Sequence, residues 1–198
     1  MSDETKLMLS ADELALAGNR DIILTKRSVI EKAMYLFSSL QNKISEVFRD
    51  MISREALPVS SMPKISKGEN YKGFPYVIMD HPAVFGKENI FAVRTMFWWG
   101  NFISITLHLS GEYRERFKEN IFKNLMGDLL IAAGTDEWQH DLAEENYCRV
   151  SDLTAEQKAR VLENDFLKIA IINKLEDWNR MTELLNEGYG QILNLIIG

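Results

Sequence analysis

The stretch Ile90–Leu109, IFAVRTMFWWGNFISITLHL, carries one full charge in twenty residues, Arg94, and has Gly100-Asn101 at its middle. A membrane-spanning helix of that length would place Arg94, Asn101 and His108 in hydrocarbon, where each is costly. Phe91, Val93, Thr95, Ile103, Ile105 and Thr106 favour strand, and a Gly-Asn pair between two such runs reads as the turn of a β-hairpin. With Gly100 and Asn101 as a two-residue turn, Trp99 faces Phe102, Phe97 faces Ser104, Thr95 faces Thr106 and Val93 faces His108. That register gives one aromatic and hydroxyl-bearing face. The opposite face joins Ala92, Arg94, Met96 and Trp98 to Ile103, Ile105, Leu107 and Leu109, a more apolar surface expected to lie under helices.

Working outward, Tyr76–Met79 is a short strand that His81-Pro82 ends, so strands at 76–79, 90–99 and 102–109 form an antiparallel meander. Pro58, Pro63, Gly68, Gly73 and Pro75 mark the residues before it as loop. Ser10 with Glu13 and Ser28 with Glu31 have capping-box spacing, and Ile30, Ala33, Phe37, Leu40, Ile44, Phe48 and Met51 form one helical stripe. Tyr113, Phe117, Ile121 and Leu125 mark a half-buried helix, and Leu129–Ala133 reads as a strand, while the segment through Tyr147 fits strand, loop or short helix. Thr154 with Gln157 opens a second long stripe that runs to Leu185. The closing QILNLIIG is too short to span a bilayer and should dock on this domain or on a second copy. The expected fold is α+β: a largely antiparallel sheet of three or more strands, one face covered by long helices over residues 28–53 and 154–186.

A chain of 198 residues with 46% apolar content can build one well-buried core, so residues 1–198 are expected to form a single domain. The net charge of -6 opposes a general attraction to nucleic acid or to anionic lipid. Cys148 is the only cysteine, which rules out an intramolecular disulfide or a cysteine-based zinc cluster within one chain and suits a cytoplasmic setting. The start, MSDETKLMLSADE, has acids where a secretory signal carries bases, and nothing there marks the chain for export.

Candidate chemistry centres on three histidines. His81 and His140 neighbour Asp80 and Asp141, and His108 lies on the hairpin. His108 or His140 with Asp80 or Asp141 would make an acid-base pair, and His81, His108 and His140 would make a metal site if they converged. Glu137 and His140 have the ExxH spacing that lets two side chains on one helix face share a metal, but no second ExxH accompanies them. Residues 136–145 hold five carboxylates, which read as a solvated acidic segment. Gly68 and Gly73 have phosphate-loop spacing, but Phe74 and Pro75 stand where lysine and a hydroxyl are required. Arg94, among apolar neighbours, either pairs with a buried acid or binds an anionic ligand, with the ion pair favoured. No motif implies a cofactor.

The run KGENYKGFPYVIMDHP at 67–82, followed by FAVRTMFWWGNF and LHLSG, resembles bacterial conserved proteins whose function has not been assigned. The resemblance covers roughly half the chain, implies a compact α+β domain and supplies no catalytic residue. Adjacent Trp98 and Trp99 must point to opposite sides of a strand, so one packs inward while the other is free to line a groove. The leading expectation is a soluble cytoplasmic binding or interaction module. It would use Trp99, Phe97, Thr95, Ser104, Thr106 and Arg94 for a small-molecule ligand or a homodimer contact, without nucleic acid or membrane. The alternative is a small enzyme with a His-Asp pair or a His-ligated metal.

Overall fold

The computed structural model describes residues 7–59, 62–142 and 146–198. Residues 1–6, which begin the acid-rich start, and Glu144 and Glu145 of the acidic segment lie outside them. The described chain forms helices α1 (Ala11–Ala17) and α2 (Arg20–Arg54), then strands β1 (Lys64–Tyr71), β2 (Phe74–Phe85), β3 (Ile90–Trp98) and β4 (Phe102–Ser110). Helix α3 (Gly111–Asn124), strands β5 (Leu130–Ala132) and β6 (Tyr147–Arg149), helix α4 (Ala155–Glu163), strand β7 (Phe166–Asn173) and helix α5 (Met181–Ile197) complete it. The seven strands make one sheet in the order β1-β2-β3-β4-β7-β5-β6, with every pairing antiparallel. The α+β class is therefore as expected.

The hairpin turn is one residue longer than expected. Asn101 donates its backbone N–H to Trp98 O at 3.0 Å, and Gly100 takes φ 72° at the third position of that turn, where type II geometry requires positive φ. Trp98 therefore pairs with Phe102, Met96 with Ser104, Arg94 with Thr106 and Ala92 with His108. A one-residue slip exchanges the faces of a whole strand. Phe91, Val93 and Phe97 now share their side with Ile103, Ile105, Leu107 and Leu109, and all seven sit in the helix-covered core. This arrangement gathers the apolar side chains of both strands under helices, which the two-residue turn would not do.

α2 supplies Phe37, Leu40, Ile44 and Phe48 to that core, and α5 supplies Leu185, Tyr189 and Ile192. Each fully buried side chain of this kind contributes roughly 1.5–3 kcal/mol before conformational entropy is subtracted. The α5 C-terminal residues Ile192, Leu195 and Ile196 are buried on this domain, which settles where QILNLIIG docks. Both outer capping boxes form: Ser10 Oγ accepts from Glu13 N–H and Thr154 Oγ1 from Gln157 N–H.

Four further expectations are overturned. Ser28 lies inside α2, which begins at Arg20 behind an Asn19 cap whose side chain accepts from Asp21 and Ile22 N–H. Without Gly or Pro between Arg20 and Ser28, nothing stops the helix there. The second long helix, placed at 154–186, is instead α4, β7, a 3-10 turn over Leu175–Arg180 and the start of α5. FLKIAIIN forms β7, a strand between β4 and β5 whose burial on both faces erases the alternation that marks half-exposed strands. β1 replaces part of the expected loop, and β2 continues through Pro82 with a register shift between Asp80 and Ala83.

Candidate functional site

The sheet face away from α2 and α5 carries a cluster of buried polar residues, Ser104, Thr106, His108 and Lys168. Register places Asp80, Arg94 and Thr106 in one row across β2, β3 and β4, and His108 beside Lys168 in the next row on β4 and β7. Residues 133–142, without helix or strand, fold over these rows. Their anchors come from below and from the β1-β2 turn. Lys168 Nζ donates to Glu137 O at 2.8 Å and Gln139 O at 2.5 Å, and Tyr71 Oη accepts from His140 and Asp141 N–H at 2.7 and 3.1 Å. Lys72 pairs with the Asp141 carboxylate, which also accepts from Asn146 Nδ2 at 2.8 Å.

Arg94 resolves toward the ion pair. Its Nε and Nη2 donate to the two Asp80 oxygens at 2.7 and 2.9 Å, a bidentate fork. Its Nη1 donates to His140 Nε2 at 2.9 Å, so that nitrogen is an acceptor and the imidazole proton sits on Nδ1. Burial, then the charges of Lys168, Arg94 and His108, pushes the His140 pKa down to about 2. His108 is pushed down to about 3 by burial, Lys168 and Arg94, so its neutral ring donates Nε2–H to Glu137 Oε2 at 3.3 Å. Burial and Arg94 bring Lys168 down to about 7 against the pull of Asp136 and Glu137, and its side chain lies under the Tyr147 ring at 5.8 Å. The Tyr147 hydroxyl is buried beside it without a hydrogen-bond partner.

The structure thus brings together His108, His140, Glu137, Arg94 and Asp80, and adds Lys168 and Tyr71, which sequence reasoning missed. It does not make the expected pairs. Asp80 is held by Arg94 and Asp141 by Lys72 and Asn146, so neither meets a histidine through a hydrogen bond. His81 is buried, with its pKa lowered by burial, within the β2 register shift. Among the described residues no group of three His, Cys, Asp or Glu side chains could hold a metal ion, and Glu137 and His140 turn to different partners. Thr95 and Phe97 lie under the helices, with Thr95 Oγ1 2.9 Å from Tyr189 Oη, whereas Ser104 and Thr106 are buried on the opposite face. The slipped register is what separates the proposed ligand-binding set.

Trp98 and Trp99 part as adjacent residues must. Trp98 is buried against Tyr71, Phe74 and Phe102, with its Nε1 donating to Tyr71 O at 3.2 Å. Trp99 is half-buried in the turn and lines a groove of about 550 Å³ with Phe74, Pro75 and Ile22, Thr25 and Lys26 of α2. The groove abuts an arm. Every residue from Leu7 to Thr25 is exposed, α1 buries nothing, and the buried stripe of α2 starts only at Ile30. Leu7, Met8, Leu9, Leu14, Leu16, Ile22, Ile23 and Leu24 are all large apolar side chains in water. A larger and more enclosed cavity of about 1230 Å³ lies where β5 and β6 meet α5, lined by Leu130, Tyr147, Ile172, Lys174 and Gln191.

No described helix is long and apolar enough to cross a membrane. Comparison with protein-family models, with curated proteins and with solved structures gives no match.

Proposed function

We propose that this protein is a cytoplasmic interaction module that engages a protein partner through its N-terminal arm and the adjoining Trp99 groove. The observation that carries the reading is the run of eight large apolar side chains left exposed between Leu7 and Leu24. So dense a run of exposed apolar side chains in one short segment marks interaction sites in folded proteins, whereas scattered single residues do not. A seven-residue helix is also too short to persist in water alone, so α1 gains its stability from whatever covers it. The lone, half-buried Cys148 agrees with a reducing compartment.

The catalytic alternative draws support from His108 Nε2 lying 3.3 Å from Glu137 Oε2. Its weakness is access: the imidazole is sealed beneath residues 136–141, and a pKa near 3 leaves it a poor base at neutral pH. The polar layer fits a role in anchoring that segment.

In-cell photo-crosslinking tests the interaction reading. A photoreactive amino acid at Ile23 should give a discrete protein-protein adduct, and the same group at exposed Lys158 should not. Absence of an adduct at Ile23 and at Leu14, with the protein folded, would overturn it.

A further inference from the structure

Resting on that reading, we infer that the arm's partner is a second copy of this chain, each copy laying α1 and the start of α2 across the Trp99 groove of the other. The first argument is area. The eight exposed apolar side chains of the arm, at 46–85% exposure, amount to about five fully exposed ones. At roughly 100 Å² of apolar surface each, that is about 500 Å². An interface about 60% apolar would then bury roughly 800 Å² per partner, the size of a standard stable contact.

The second argument is self-complementarity. Arm and groove lie side by side on one chain, because α2 residues Ile22, Thr25 and Lys26 form one wall of the groove and Phe74, Pro75 and Trp99 the other. A two-fold axis beside that wall lets both contacts form at once and closes the assembly. The third argument is charge. Residues 7–25 hold three acids, Asp12, Glu13 and Asp21, and one base, Arg20, and the facing groove adds Lys26, so each arm brings acids toward a groove that carries a base. An amphipathic helix destined for a lipid surface carries a Lys/Arg-rich polar face, which α1 lacks.

Sedimentation velocity of the 198-residue chain from about 1 to 100 μM, roughly the range that separates tight from weak association, is the test. Wild type should sediment as a dimer. Leu14→Glu in the arm and Trp99→Ala in the groove should each raise the dimer Kd at least tenfold, with circular dichroism showing that the fold is retained. Mixing the two variants should restore part of the dimer, since one intact arm then meets one intact groove. A wild-type monomer throughout the range, or a dimer indifferent to Leu14→Glu, would overturn the inference. A monomer that still gives an Ile23 crosslink to a different protein would defeat the self-association while leaving the interaction reading in place.

Discussion

Replacing Lys168 with Met isolates the energetic role of the polar layer. Lys168 is 1% exposed, and its pKa falls from an ordinary 10.5 to about 7. Between those values the unfolded chain binds the proton and the folded chain does not, so stability must rise with pH across that window. From pH 7 to pH 9 the gain attributable to this one amine is about 2 kcal/mol. Met fills a similar volume and cannot titrate, though it leaves Glu137 O and Gln139 O without their donor, at a cost of roughly 1–3 kcal/mol each. The absolute stability of the variant is therefore a poor readout, because loss of the buried charge and loss of two hydrogen bonds oppose one another. The slope is the clean one. Urea unfolding at fixed ionic strength should show wild type gaining about 2 kcal/mol more than Lys168→Met between pH 7 and pH 9. Parallel profiles would refute the reasoning, and would mean that the two carbonyls hold the ammonium charged well above neutrality.

The histidines act with the same sign in a lower pH window. His108 and His140 are held at about 3 and about 2 against an ordinary 6.5, so as pH falls below 6.5 the unfolded chain takes up protons that the folded chain refuses. Each should cost about 2 kcal/mol between pH 7 and pH 5, and His140→Gln, which keeps an acceptor for Arg94, should lessen the drop in urea stability by that amount. An unchanged drop would remove His140 from the account. Arg94→Met should destabilise by about 3–5 kcal/mol by stranding the Asp80 charge, and the Arg94→Met/Asp80→Leu double variant should recover part of it. Equal costs for the single and double variants would show that the pair is not coupled. A Cβ at Gly188 would lie 2.6 Å from Ile105 Cδ1, so Gly188→Ala should cost about 1–3 kcal/mol in wild type. In an Ile105→Val background the methyl is gone, and the cost should shrink or reverse as Ala's helix propensity, about 1 kcal/mol, takes over. The same melting-temperature change in both backgrounds would discount that contact.

The antiparallel sheet was legible because Gly100 between two β-rich runs has few other readings. Turn length was not, since Trp98-Trp99-Gly100-Asn101 accommodates a two- or three-residue loop, and only the requirement to collect Ile103, Ile105, Leu107 and Leu109 under helices selects the longer one. β7 was lost for a related reason: Phe166, Ile169 and Ile172 have helical spacing, while apolar residues on both faces hide the period of two. Lys168 was the missed signal there, a single charge inside FLKIAIIN, matching Arg94 inside the β3 run. Arg94, Asp80, Glu137, His108 and His140 were each identifiable as outliers. That they meet depends on residues 133–142 folding over β4 and β7, for which no local pattern exists. β1 was hidden because KISKGENY is polar, as suits the edge strand of a sheet.

Burial normally sorts apolar residues inward and charges outward, and this chain departs from that rule twice in opposite senses. Inside, a lysine, an arginine, an aspartate and a histidine lie beneath residues 133–142, which add His140, with Arg94 held by Asp80 and His140 and Lys168 by two backbone carbonyls. Outside, eight large apolar side chains of the arm have no cover. The inner departure is self-contained: with His108 and His140 neutral and Arg94 already forked onto Asp80, little is left to bind a further ion, so its consequence is a segment pinned to the sheet. The outer departure is not self-contained. Water-exposed Leu14, Ile23 and Leu24 are compensated by nothing within the described chain, and their burial is worth several kcal/mol to whatever surface receives them. Of the two departures, the arm is therefore the one that the proposed partner would offset.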